Sequence, residues 1–191
     1  MSENLRWYTK ALYSMDHVVR LTEPLGSGAW DRPTPCSAWS AAHVLGHVIA
    51  IQRENEQLIN GEDVTIDPFA EPQQWCVPDP ASAWASARDD LLAALDKPNV
   101  LKRFVQSYRA YEPIDDIVGI NVVDTTIHAW DLARAFGVDD RIDATLVDHC
   151  IALITPIVET MRGEGGLGPA APIPFDADPQ TVLLAMTGRV G

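Results

Sequence analysis

Residues Ile114–Gly137 read IDDIVGINVVDTTIHAWDLARAFG, and their spacing decides the fold. Ile117, Ile120 and Ile127 fall on one face of a helix with 3.6 residues per turn. Asp124 and His128, four residues apart, point from that same face, and Asp131 shares it. Pro113 suits the first turn of such a helix, and Gly137 is well placed to end it. A carboxylate and an imidazole inside an apolar stripe cost free energy unless they are paired or coordinated. The helix therefore needs both apolar partners and a chemical reason for its polar groups.

The rest of the chain supplies similar helices. Leu5, Tyr8, Leu12, Met15 and Val19 recur at helical steps, which predicts a helix over residues 5–22, with Gly26 and Gly28 closing it. Two prolines make Arg32-Pro33-Thr34-Pro35-Cys36 an ordered loop. Ser37 or Ser40 can then cap a second helix that runs to Asn60-Gly61. In this helix His47 lies among Val44, Val48, Ile51 and Leu58, while His43 sits one turn earlier, nearer the rim. Residues 62–79 hold three prolines and predict a long loop. Trp84, Leu91, Leu92 and Leu95 predict a third helix over 80–96. Residues 100–112 fit either a short strand pair or an irregular crossover. A fifth helix is expected over 143–162, then a flexible glycine-rich break at 163–169. Asp178 and Pro179 start a last short helix ending at Thr187. These elements predict an all-α fold, a four-helix bundle with an additional short C-terminal helix and tail, as one domain over residues 1–191.

Composition narrows the function classes. The net charge of −13 repels phosphate backbones, and no Lys/Arg cluster offers a local exception, so nucleic acid is not an expected partner. No apolar run approaches the roughly 20 residues that span a bilayer, and the N-terminus lacks the pattern of a signal peptide. No membrane partner is expected. Cys36, Cys76 and Cys150 are odd in number and show no CxxC spacing, which fits a reducing, cytoplasmic compartment.

Two apolar helix faces thus each carry imidazole into the core. Facing helices of a bundle build metal sites from such residues, and two imidazoles with one carboxylate suit zinc, with nickel or iron as alternatives. Three protein ligands leave an open position for water or a thiolate. On spacing alone a second reading stays open: Asp124 and His128 form an ordinary intrahelical pair, and His47 bonds a backbone carbonyl.

Three ordered motifs carry a resemblance. Pro33-Thr34-Pro35-Cys36-Ser37-Ala38-Trp39-Ser40 followed by His47, the segment Ile127-His128-Ala129-Trp130-Asp131-Leu132-Ala133-Arg134-Ala135-Phe136-Gly137, and the closing Leu183-Leu184-Ala185-Met186-Thr187-Gly188-Arg189 resemble the DinB/YfiT-like superfamily. The branch in question is similar to the N-terminal domain of mycothiol-dependent maleylpyruvate isomerase. The resemblance spans essentially the whole chain. It implies a four-helix core and a divalent metal held by His47, Asp124 and His128. It also implies a mycothiol-type thiol as cosubstrate and a small-molecule substrate; a homodimer is compatible with it. The relatives' carboxylate ligand is typically Glu, one methylene longer than Asp124. The isomerase also has a separate C-terminal domain with no counterpart in the short tail here, so maleylpyruvate isomerisation itself is not expected. A metal-dependent thiol S-transferase or isomerase and a non-catalytic protein with a vestigial metal site both remain open. Trp39 and Trp130 are expected to pack near the site, and Cys36 to be a buried structural thiol. Asp131 is expected to accept from a ligand histidine's second nitrogen or to pair with Arg134 or Arg141. Arg189 is expected to be a surface charge.

Overall fold

Four long helices carry the apolar stripes: α1 (Glu3–Arg20), α2 (Ala41–Asn60), α3 (Pro80–Leu95) and α4 (Ile114–Phe136). The computed structural model describes residues 1–107, 109–163 and 167–190. Each helix starts and stops on local chemistry. Ser2 caps α1 by accepting from the Leu5 amide, and Asp79 caps α3 by accepting from the Ala81 amide. Gly61 and Gly137 end α2 and α4 in the left-handed conformation that glycine adopts without strain. Pro113 lies just before the first residue of α4.

Tyr8, Leu12, Met15 and Val19 are buried, as are Trp84, Leu91 and Leu95. They meet Val44, Leu45, Val48, Val118, Val122 and Leu132 in one core. The first turns of α1 and α4 lie together, where Asn4 Nδ2 donates to the Asp115 carbonyl at 3.0 Å. A buried polar link crosses the same core. Trp84 Nε1 donates to Asp16 Oδ1 at 2.6 Å, and Arg88 pairs with the same carboxylate. An all-α bundle is the architecture, with one small addition. Phe104–Gln106 (β1) and Tyr111–Pro113 (β2) form an antiparallel pair with Val105 opposite Glu112, so the ambiguous segment is a strand pair.

The single helix expected over 143–162 is instead two: α5 (Ala144–Ile154) and α6 (Val158–Gly163). Pro156 lies between them and has no N–H to continue the ladder. The glycine-rich break expected at 163–169 falls partly on residues 164–166, which lie outside the described residues. The last helix, α7 (Pro179–Met186), buries Leu183 and Leu184 against the bundle. Arg162 Nη2 donates to the Met186 carbonyl at 3.0 Å, and the Arg189 amide donates to the Leu184 carbonyl at 2.8 Å. These bonds turn the chain end back toward α4. Among the described residues no helix is long and apolar enough to cross a membrane.

The segment after α2 is ordered across that helix. It contains a tight turn, Pro72–Cys76, that lies on Gly46. A Cβ at position 46 would stand 2.0 Å from the Pro72 carbonyl oxygen. Gly46→Ala is expected to push this turn off α2 and cost about 1–3 kcal/mol. Thermal unfolding should register a Tm several degrees lower; an unchanged Tm would show that the turn does not need this close approach.

Candidate metal centre

The helical repeat of α4 sets Asp124 and His128 one above the other. His47 projects toward them from α2, which packs against α4. His47 Nε2 lies 3.6 Å from Asp124 Oδ1, and His128 Nε2 lies 3.5 Å from that same oxygen. The rings stand edge to face with centroids 5.2 Å apart. One ligand atom from each residue lies within 4.8 Å of the others, so the three side chains could hold one ion.

The opposite edge of each ring is anchored. His47 Nδ1 is 2.9 Å from the Pro68 carbonyl, which can only accept, so Nδ1 carries the proton. His128 Nδ1 is 3.0 Å from Asp131 Oδ2, again an acceptor. Asp131 is fully buried and is gripped in turn by Arg189, whose Nη2 lies 2.8 Å from Oδ2 and Nε 3.3 Å from Oδ1. In the neutral imidazoles both Nε2 lone pairs therefore face the Asp124 carboxylate. Three electron-rich atoms pointing at one place repel unless positive charge lies among them. Asp124 Oδ2 is also buried and has no partner among the described residues. The donor set, the fixed tautomers and the orphaned oxygen all fit a divalent cation.

The electrostatics lean the same way. Burial by itself would raise the Asp124 carboxyl, but His128, His47 and Arg189 hold it below the usual range. Burial would lower His47, yet the adjacent Asp124 carboxylate and the Pro68 carbonyl carry it above its ordinary value. Burial also opposes ionisation of Asp131, and His128 and Arg189 outweigh it. The triad thus keeps a carboxylate charged and draws positive charge to it.

The triad opens on a cleft of about 340 Å³, large enough for a small molecule. Trp39 and Phe69 flank His47, with ring centroids 4.8 and 4.9 Å from its own. Ile51, Leu58 and Ile120, whose spacing marks them for a core face, are only half buried because they wall this cleft.

Several expectations need correction. Arg189 is not a surface charge: its side chain is 11% exposed because α7 turns it inward onto Asp131. Asp131 does accept from a ring nitrogen of His128, but its cation is Arg189. Arg134 pairs with Asp140 and Arg141 with Asp139, both on the surface side of the α4–α5 connection. Cys36 is half buried on the cleft wall rather than fully buried, and burial raises its thiol pKa against the opposing pull of Arg189. Trp39 lies at the site, whereas Trp130 does not line the cleft. Two residues beyond His128 is more than half a turn, so Trp130 faces away, under the Arg134 guanidinium. His43 bonds Ser40 Oγ at 2.8 Å and lies outside the cleft. Arg189 and the Pro68 carbonyl are the participants that spacing did not assign to the site.

Comparison with known proteins adds a family. Residues 13–133 match the model of the mycothiol maleylpyruvate isomerase N-terminal domain. Two uncharacterised proteins of Mycobacterium tuberculosis, from strains CDC 1551 and H37Rv, are each 28% identical over 159 residues, covering 82% of this chain and 83% of theirs. No solved structure matches.

Proposed function

The chain belongs to the mycothiol maleylpyruvate isomerase N-terminal domain family, and from that premise we propose a divalent-metal-binding protein that uses a mycothiol-type low-molecular-weight thiol as an S-transferase or isomerase. One observation carries this reading: both imidazoles are locked with their Nε2 lone pairs toward one Asp124 oxygen, at the end of a ligand-sized cleft. His47, Asp124 and His128 are the proposed ligands, with zinc favoured by the nitrogen-rich donor set. The whole chain is read as one cytoplasmic metal-binding domain.

A divalent cation held there supplies the charge that stabilises a thiolate at neutral pH and an open position beside it. The chain's own residues do the rest. The Pro68 carbonyl and Asp131 hold the protons on both Nδ1 atoms, keeping each ring in its ligating tautomer. Trp39 and Phe69 pack against the His47 ring and brace its orientation. Arg189 neutralises Asp131, so the two carboxylates do not both draw on the same cation. The cleft's apolar walls orient an electrophile by contact rather than by charge.

Metal analysis of untagged protein tests the first step, and thiol consumption with and without chelator tests the second. Metal without thiol chemistry would leave a non-catalytic metal-binding protein. His43→Ala is expected to keep full metal content, because its imidazole bonds Ser40 outside the cleft. A metal-depleted His43→Ala protein would assign the ligand to the wrong turn of α2.

A further inference from the structure

The proposed ligands come from two helices, His47 from α2 and Asp124 and His128 from α4. The centre therefore depends on how those helices stand to each other. Apart from the approach of His47 to Asp124 itself, no polar contact among the described residues joins α2 directly to α4. The polar tie between them is indirect and runs through α1. That helix packs along α4, and Ser2 and Asn4 at its start bond to Asp115. Tyr8, two turns from its start, donates from its phenol to Gln52 Oε1 on α2, the one side-chain hydrogen bond between α1 and α2 among the described residues.

The link lies at the level of the proposed centre. Tyr8, Gln52 and Thr125 are fully buried; Gln52 is five residues beyond His47, and Thr125 follows Asp124 directly. Burial carries the phenol well above its ordinary pKa, Gln52 draws it back, the Asp124 charge pushes it up, and the Thr125 hydroxyl draws it back. The phenol thus stays protonated and is a permanent donor. The Gln52 amide nitrogen is buried with no partner among the described residues, so Tyr8 alone holds that side chain by a hydrogen bond. Such a buried bond between neutral groups forms in one arrangement of the helices and breaks in others. Taking the proposed metal centre as premise, we infer that Tyr8 and Gln52 are positioning residues for it: through α1 their bond sets α2 against α4, and so the span from His47 Nε2 to the Asp124 carboxylate. Neither residue touches the ion. Metal bonds tolerate little drift of their ligands, so a slip of α2 registers at the centre.

Tyr8→Phe removes the hydroxyl and leaves the ring in place. Titrated with cobalt, the full chain carrying it should bind roughly tenfold more weakly, the lower end of what losing a group behind metal ligands costs. Trp84→Phe is the control. It cuts another buried bond of α1, to Asp16 from α3, and should destabilise the fold while cobalt affinity stays within about twofold, as for independent sites. Tyr8→Phe combined with Gln52→Leu removes both partners and should regain stability while cobalt affinity stays low. This double variant reports even where the single one folds poorly. In metal-free protein the ring NMR signals of His47 should move in Tyr8→Phe and stay in Trp84→Phe. Unchanged cobalt affinity in Tyr8→Phe, an equal loss in Trp84→Phe, or full recovery of affinity in the double variant would overturn the positioning role. A wild type that binds no cobalt sinks the metal reading alone, because the His47 signals of metal-free protein still decide whether the Tyr8–Gln52 bond sets that side chain.

Discussion

Asp124→Asn is expected to lower divalent-metal affinity roughly 100-fold while the fold survives. The substitution keeps the size of the side chain and removes only its charge. Asp124 Oδ1 is the atom that both imidazole Nε2 atoms approach, at 3.5 and 3.6 Å, so its charge anchors the whole donor set. Without metal the variant should be somewhat less stable than wild type at neutral pH, because His128, His47 and Arg189 outweigh the burial cost of the ionised carboxylate and a carboxamide forfeits that attraction. With metal the gap widens: the wild type gains the linkage stabilisation of a bound ion, about 2.7 kcal/mol at a hundredfold excess over Kd, and the variant does not. Asp124→Glu restores the longer carboxylate and should retain binding. Metal titration and thermal unfolding, each with and without chelator, read all three proteins. If the Asn and Glu proteins both hold as much metal as wild type, Asp124 is not a ligand and the proposed centre is wrong.

The second large effect is expected at Asp131. Its carboxylate is fully buried between His128 Nδ1 and the Arg189 guanidinium. Asp131→Ala strands a guanidinium that is 11% exposed and leaves the ring nitrogen without its acceptor. Stranding a buried charge costs about 3–5 kcal/mol. Losing the group that orients a ligand histidine costs a further 10–100-fold in metal affinity. The double variant Asp131→Leu with Arg189→Met separates the two effects. Two apolar side chains of similar volume should recover most of the stability in urea, since replacing a whole buried pair is far milder than breaking it. Metal affinity should stay low, because His128 still lacks its anchor. A stability loss under about 1 kcal/mol for Asp131→Ala, or full metal affinity in the double variant, would show that the pair does not position His128.

Much of this was legible before any coordinates. The spacing of Asp124, His128 and Asp131 is a property of one helix, and helix neighbours follow from a repeat of 3.6 residues. The same holds for His47 among Val44, Val48 and Ile51, and for the helix ends at Gly61 and Gly137. The helix break was missed: Pro156 stands inside the stretch expected as one helix, and its missing N–H outweighs the apolar periodicity around it.

What lay beyond the sequence has one physical cause: it depends on where chain segments distant in sequence arrive. Arg189 meets Asp131 across 58 residues because α7 docks Leu183 and Leu184 on the bundle and turns the chain end inward. Pro68 can offer its carbonyl to His47 because the following turn lies flat on Gly46. Periodicity tells which side chains of a helix share a face, and so the sequence alone determined the all-α elements and the polar residues their apolar faces carry. Whether a face meets a core, a cleft or a guanidinium from the far end of the chain depends on packing between elements, and only the tertiary structure decided that.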